Sequence, residues 1–165
     1  MIGFFNNQFV QVAYVTNDMD GAIERFDKMF GVSRWLRVPG MEMGLGGGRR
    51  LTMDMALAMA GGVQLELIAP LGGDDAVYRD ALRADRPGLQ VVHHHVAERM
   101  ASLADFDALR ERIRANGLAL PIDDQSPNGV HYLYVDTRET LGHHLEYVWY
   151  PQDYWETLNA RVPVN

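Results

Sequence analysis

The order strand, helix, strand, strand, strand runs twice along this chain, and no other feature restricts its possible folds as strongly. Gln8 to Thr16 (QFVQVAYVT) alternates as a strand. Asn17 or Asp18 caps a helix whose apolar positions Met19, Ala22, Ile23, Phe26 and Phe30 recur at helical spacing until Gly31. A second strand over Ser33 to Val38 stops at Pro39-Gly40, and the stretch GLGGGRR is expected to be a turn or mobile loop without phosphate-loop chemistry. LTMDMALAMA and VQLELIAP, parted by Gly61-Gly62, read as a hairpin. After a polar connection with a short helix, the order restarts with GLQVVHHHVA. It continues through an amphipathic helix from Leu103 to Asn116, then LALPID, HYLYVDT and HHLEYVWY. Gln11-Val12-Ala13 and His95-Val96-Ala97 open the two units, and Leu65-Glu66-Leu67 and Leu145-Glu146-Tyr147 close them. These landmarks indicate an internal duplication. One α+β domain over 1–165 follows, with modules at 8–69 and 89–150, a connection at 70–88, and a tail helix in 151–165 opening at Pro151.

Several function classes fall away on composition. The net charge of −7 argues against nucleic acid or an anionic membrane as partner. With no cysteine, disulfides, thiolate metal sites and cysteine nucleophiles are excluded. The opening MIGFFNNQFVQV shows neither the basic region nor the apolar run of a secretory leader, and no stretch is long enough to span a bilayer, so a cytoplasmic location is expected.

Strand parity then sorts side chains into two faces. Val10, Val12 and Tyr14, Val63, Leu65 and Leu67, and Leu145, Tyr147 and Trp149 form apolar rows suited to lie under the helices. The opposite rows line a concave sheet surface holding Gln11, Glu66, His93, His95, His144 and Glu146. His94 falls with Val92 and Val96, towards the helices. A carboxylate set among apolar neighbours is costly unless it is solvated, paired or bound to a cation, and two of them at matching positions beside imidazoles suggest a cation. Met41, Met43, Met53, Met55 and Met59 with Trp35, Tyr132, Tyr134, Trp149 and Tyr150 are either core or the wall of an adaptable apolar cavity.

The paired Q-V-A/H-V-A and L-E-L/L-E-Y motifs, in two βαβββ units covering roughly Phe9 to Tyr150, resemble the vicinal oxygen chelate superfamily. This is the group of glyoxalases, bleomycin-resistance proteins and extradiol dioxygenases, and the chain is most like glyoxalase I and methylmalonyl-CoA epimerase. The resemblance implies a concave, half-barrel mixed sheet with helices on its outer face. It places a divalent metal among Gln11, Glu66, His95 and Glu146, with His93, His144, Trp35 and Tyr150 expected to contact substrate. Among the histidines of GLQVVHHHVAERM, His95 is then the ligand.

One imidazole, one amide oxygen and two carboxylates suit Zn, Ni, Co, Mn or Mg. Such an ion would acidify a C–H next to a carbonyl, with Glu66 or Glu146 as base. The reading is an isomerase or lyase acting on a small apolar or aromatic substrate. A metal-free binding protein of the bleomycin-resistance type is the alternative, kept open by glutamine where the superfamily often has histidine. An extradiol dioxygenase needs two histidines and a carboxylate, which Gln11 disfavours unless His93 or His144 supplies the second imidazole. An exposed sheet edge would favour a homodimer.

Overall fold

The computed structural model describes residues 8–165; residues 1–7, part of the stretch without a leader pattern, lie outside them. The first module comprises β1 (Gln8–Thr16), α1 (Met19–Phe30), β2 (Leu36–Gly46), β3 (Arg49–Ala60) and β4 (Val63–Gly73). A short α2 (Ala76–Arg79) leads to the second, β5 (Val91–Arg99), α3 (Leu103–Ala115), β6 (Ile122–Gln125), β7 (His131–Val135), α4 (Arg138–Leu141) and β8 (His144–Trp149), followed by α5 (Gln152–Arg161).

The helices start and stop on local chemistry. Asp18 accepts the Gly21 amide at the head of α1, and Gly31 ends it in the left-handed region at φ 70°. Ser102 accepts the Asp105 amide at the head of α3. The second strand is longer than its sequence suggests. Pro39-Gly40 bulges the strand instead of ending it, because Gly40 takes φ 62° and donates its amide to Asp54 Oδ1 at 2.8 Å. The glycine-rich stretch is the β2–β3 hairpin turn, with Gly46, Gly47 and Gly48 all at positive φ.

All eight strands form one mixed sheet in the order β2-β3-β4-β1-β5-β8-β7-β6. This order is palindromic by module. β1 pairs with β4 and β5 with β8 in parallel, and the modules meet at the antiparallel β1–β5 seam. The registers also correspond: Gln11 stands opposite Gln64 and Ala13 opposite Glu66, as His95 stands opposite His144 and Ala97 opposite Glu146. α1 packs Ala22 and Phe26 on Ala56, Ala58 and Leu67, while α3 packs Phe106, Leu109 and Ile113 on Leu133, Leu145 and Tyr147. Each such large side chain contributes roughly 1.5–3 kcal/mol. The other face curls around Val15, Met53, Ile68, Tyr78, Tyr132, Tyr134 and Val148.

The curl goes further than a half-barrel. The outer strands β2 and β6 approach each other within the same chain, where Asp124 Oδ2 accepts the Gly46 amide at 2.9 Å and Tyr132 donates to the Gly44 carbonyl at 3.1 Å. The sheet is therefore nearly closed. No helix among the described residues is long and apolar enough to cross a membrane.

A Cβ on Gly46 would lie 2.5 Å from the Asp123 carbonyl oxygen and force a side chain into φ 87°. Gly46→Ala should lower the melting temperature by roughly 3–10 °C, from a loss of about 1–3 kcal/mol. Gly47→Ala meets no atom within 4 Å and should cost less in the same thermal melt.

Candidate active site

The concave face holds a cavity of about 530 Å³, walled by Met41, Met43, Met53, Tyr132 and Tyr150 and floored by Gln11, Glu66, Tyr134 and Glu146. Parallel registers bring the floor together, since Glu66 and Glu146 project from equivalent points of β4 and β8 on either side of the β1–β5 seam. Between them lies His95, fully buried, with Nε2 at 3.4 Å from Glu66 Oε2 and 3.1 Å from Glu146 Oε2. Tyr134 Oη is 3.3 Å from the same nitrogen and 3.0 Å from Tyr78 Oη. Gln11 donates its amide Nε2 to Gln64 Oε1 at 2.7 Å, which leaves its own Oε1 as the donor atom for a cation.

The electrostatics follow from burial against pairing. Burial opposes a charge on His95, but hydrogen bonds to Glu146 and Glu66, and their charges, outweigh it and carry the imidazole from 6.5 up to about 9. Burial pushes the Glu66 carboxyl up, with His95 pulling the other way. Burial, reinforced by the charges of Glu66 and Glu146, holds the Tyr78 and Tyr134 phenols well above their ordinary value, so both are neutral hydroxyls.

The residues fit a divalent ion in the chemistry of their donor atoms, and two of their separations are of the right size. Two donors each about 2.1 Å from one ion, at angles of about 90–110°, stand about 3.0–3.4 Å apart, and the two His95–carboxylate separations are 3.1 and 3.4 Å. The arrangement is held by an imidazolium proton, not preformed as a cage: no group of three His, Asp or Glu among the described residues is set around one point. A cation would replace that proton and draw the carboxylates inward.

The remaining expected contacts divide. Tyr150 lines the cavity. Trp35 does not, because its indole donates to the Val32 carbonyl and packs edge-on against Phe26 beneath α1. His93 and His94 exchange the faces that parity assigns them. In the pairing of β5 with β1, Ala13 faces His95 but Tyr14 faces His93, so His94 is an extra, bulged residue. The bulge turns His94 inward beside His95 and leaves His93 outside, against Tyr14 and His143. His144 shares the row of Glu146 but lies deeper, against the His94 ring. It lines a separate recess of about 240 Å³ with Leu45, Val77 and Arg138. Neither His93 nor His144 joins His95 on the cavity floor, so the two-histidine set of an extradiol dioxygenase is not assembled there. Parity on β4 would have found Gln64. Tyr78 comes from the connection between modules, where no periodicity marks it.

A family model described as the Glyoxalase/Bleomycin resistance protein/Dioxygenase superfamily matches residues 10–134. The chain belongs to that superfamily. No curated protein matches it by sequence. Among solved structures, methylmalonyl-CoA epimerase from Mycobacterium tuberculosis is similar at 21% identity and TM-score 0.56, covering 94% of this chain and 97% of that one. A variant of the Streptomyces coelicolor methylmalonyl-CoA epimerase, in complex with 2-nitronate-propionyl-CoA, is similar at 19% identity and TM-score 0.57, covering 88% and 96%. A hypothetical protein from Bacillus halodurans reaches TM-score 0.56 at 15% identity, covering 89% and 96%. These likenesses establish a shared fold.

Because His95 titrates higher folded than unfolded, the stability it confers is complete below pH 6.5 and is lost as the pH rises through about 9. Metal-free, chelated protein should lose roughly 3 kcal/mol over that window. Denaturant melts at successive pH values measure this. Saturating zinc should remove the loss, and a flat profile without metal would contradict an imidazolium between Glu66 and Glu146.

Proposed function

We propose that the protein is a metal-dependent isomerase or lyase of the glyoxalase and epimerase type, removing a proton next to the carbonyl of a small apolar or aromatic substrate. The observation that carries this reading is the meeting of two carboxylates, from equivalent strands of the two modules, at one buried imidazole beneath the floor of a cavity walled in part by methionines and tyrosines. His95, Glu66, Glu146 and the Gln11 oxygen would hold Zn, Ni, Co, Mn or Mg. Such an ion supplies Lewis acidity that polarises a substrate carbonyl and weakens the adjacent C–H bond.

The chain's own groups do the rest. Glu66 and Glu146 flank the reacting position, and one of them takes the proton from the substrate carbon. For Glu66, burial raises its basicity towards the range useful at neutral pH. The Tyr134 hydroxyl, supported by Tyr78, is placed to donate to a substrate oxygen. Met41, Met43, Met53 and Tyr150 enclose an apolar body and keep water away from the transferred proton. The cavity wall favours an uncharged substrate over one with a phosphorylated tail. Among the described residues that line it, Arg50 is the one cationic side chain, and it already faces Glu42 at 3.5 Å.

A second reading, a metal-free small-molecule binding protein, is favoured by the internal pairing of His95 with both carboxylates. Calorimetry separates the two. Untagged, chelated protein titrated with zinc or nickel should bind about one equivalent, and Glu66→Gln or Glu146→Gln should weaken binding at least about tenfold. In D2O, the loaded protein should wash deuterium into the C–H beside the carbonyl of an aryl 2-hydroxyketone probe, read by proton NMR. At least one of the two variants should slow this by about 100-fold or more. A wild-type protein that takes up no metal leaves the binding reading, and undiminished exchange in both variants overturns the proton-abstraction scheme.

A further inference from the structure

The extra residue in β5 has its counterpart at Val10 of β1 but differs from it in chemistry. It is a histidine, only 3% exposed, and both of its ring nitrogens are engaged. Nε2 lies 2.8 Å from the Val77 carbonyl oxygen, and Nδ1 lies 2.9 Å from Nδ1 of His95. A carbonyl oxygen can only accept, so His94 Nε2 carries a proton and donates it. Of the two rings, His95 is the one that lies against carboxylates, so the positive charge sits there and the buried His94 ring is neutral, with Nδ1 an acceptor. The proton in the contact between the two Nδ1 atoms therefore belongs to His95. With the opposite tautomer, two lone pairs would face each other at 2.9 Å in a dry interior.

We propose that His94 is a positioning residue that fixes the proton of His95 on Nδ1, so that His95 Nε2 is the nitrogen left to face Glu66, Glu146 and a cation. The chain of contacts runs from the Val77 carbonyl just after α2 begins, through His94, to His95. It ties the orientation of the central imidazole to the connection between the modules. The same contact stops the His95 ring from flipping, because a flip would break the Nδ1 bond to His94. The assignment of the proton stands on hydrogen-bond and ion-pair geometry; its use in holding a metal rests on the function proposed above.

Two measurements test it. In protein labelled with ¹⁵N-histidine and freed of metal, the Nδ1 atoms of His94 and His95 should show scalar coupling across their hydrogen bond, with the proton bonded to His95 and His94 protonated on Nε2. No coupling, or a proton bonded to His94 Nδ1, overturns the proposal. Calorimetric zinc titrations of His94→Leu should show affinity about 10–100-fold weaker than wild type. His94→Gln, whose amide can donate to Val77 and accept from His95, should recover to within about threefold. A leucine variant that binds zinc as tightly as wild type overturns the proposal. A wild-type protein with the coupling but no zinc affinity refutes the metal reading and leaves the tautomer lock standing.

Discussion

Two carboxylates inside a nearly closed sheet are tolerable only because one buried imidazole lies between them, and much of the molecule serves that contact. Alone, Glu66 in this setting would be driven to take a proton, since desolvating a carboxylate costs several kcal/mol. His95 offsets the cost for both, at 3.4 and 3.1 Å. Its position comes from the seam strand β5, and those of the carboxylates from β4 and β8, which flank the seam pair β1–β5. A shift of one residue in either parallel pairing would turn a glutamate towards the helices. The registers of the parallel pairs thus bear directly on the charge balance of the site.

The duplication makes the site and its imperfections make it chemical. Corresponding registers give each module an upstream residue on its first strand and a glutamate on its last. Strict symmetry would yield two identical halves with like charges opposed. Instead, the first module has Gln11 held by Gln64, and the second has His95 with His94 behind it. A neutral amide on one side and a proton-carrying imidazole on the other leave the pair of carboxylates one positive partner. The cavity opens above this pair between methionine and tyrosine side chains.

The sequence carries the module order, the strand faces of β4, of β8 and of β1 from Gln11 onward, and the candidacy of Gln11, Glu66, His95 and Glu146, because these depend on alternation along unbroken stretches of strand. It fails where one residue breaks the count. Nothing in VVHHHVA marks His94 as bulged, since the bulge is a property of pairing with β1 and not of β5 by itself. One inserted residue moves His94 into the site and His93 out of it. Trp35 illustrates a different limit: a large aromatic near a strand start fits a cavity wall or a helix-packing core equally well, and only the Val32 carbonyl and the Phe26 ring decide between them. Tyr78 lies on a single helical turn whose place against the sheet is set by tertiary packing.

The expectation of a homodimer has its own physical basis, an open sheet edge in need of cover, and the curl of the sheet covers a part of each edge within the chain. β2 and β6 are the two outer strands, and they meet where Asp124 accepts the Gly46 amide, beside the bond from Tyr132 of β7 to the Gly44 carbonyl. The contact is made by side chains meeting backbone, and Arg49 at the start of β3 also donates to the Pro121 carbonyl just before β6, at 3.0 Å. A side-chain seam lacks the repeating bonds of a strand ladder and can part without disturbing the rest of the sheet. The seam borders the cavity, since Gly44 and Asp124 both line it. The same few contacts that close the sheet on itself therefore also set how wide the mouth of the site stands. For this fold, edge protection and substrate access are one structural problem, solved where glycines let two strands approach an aspartate.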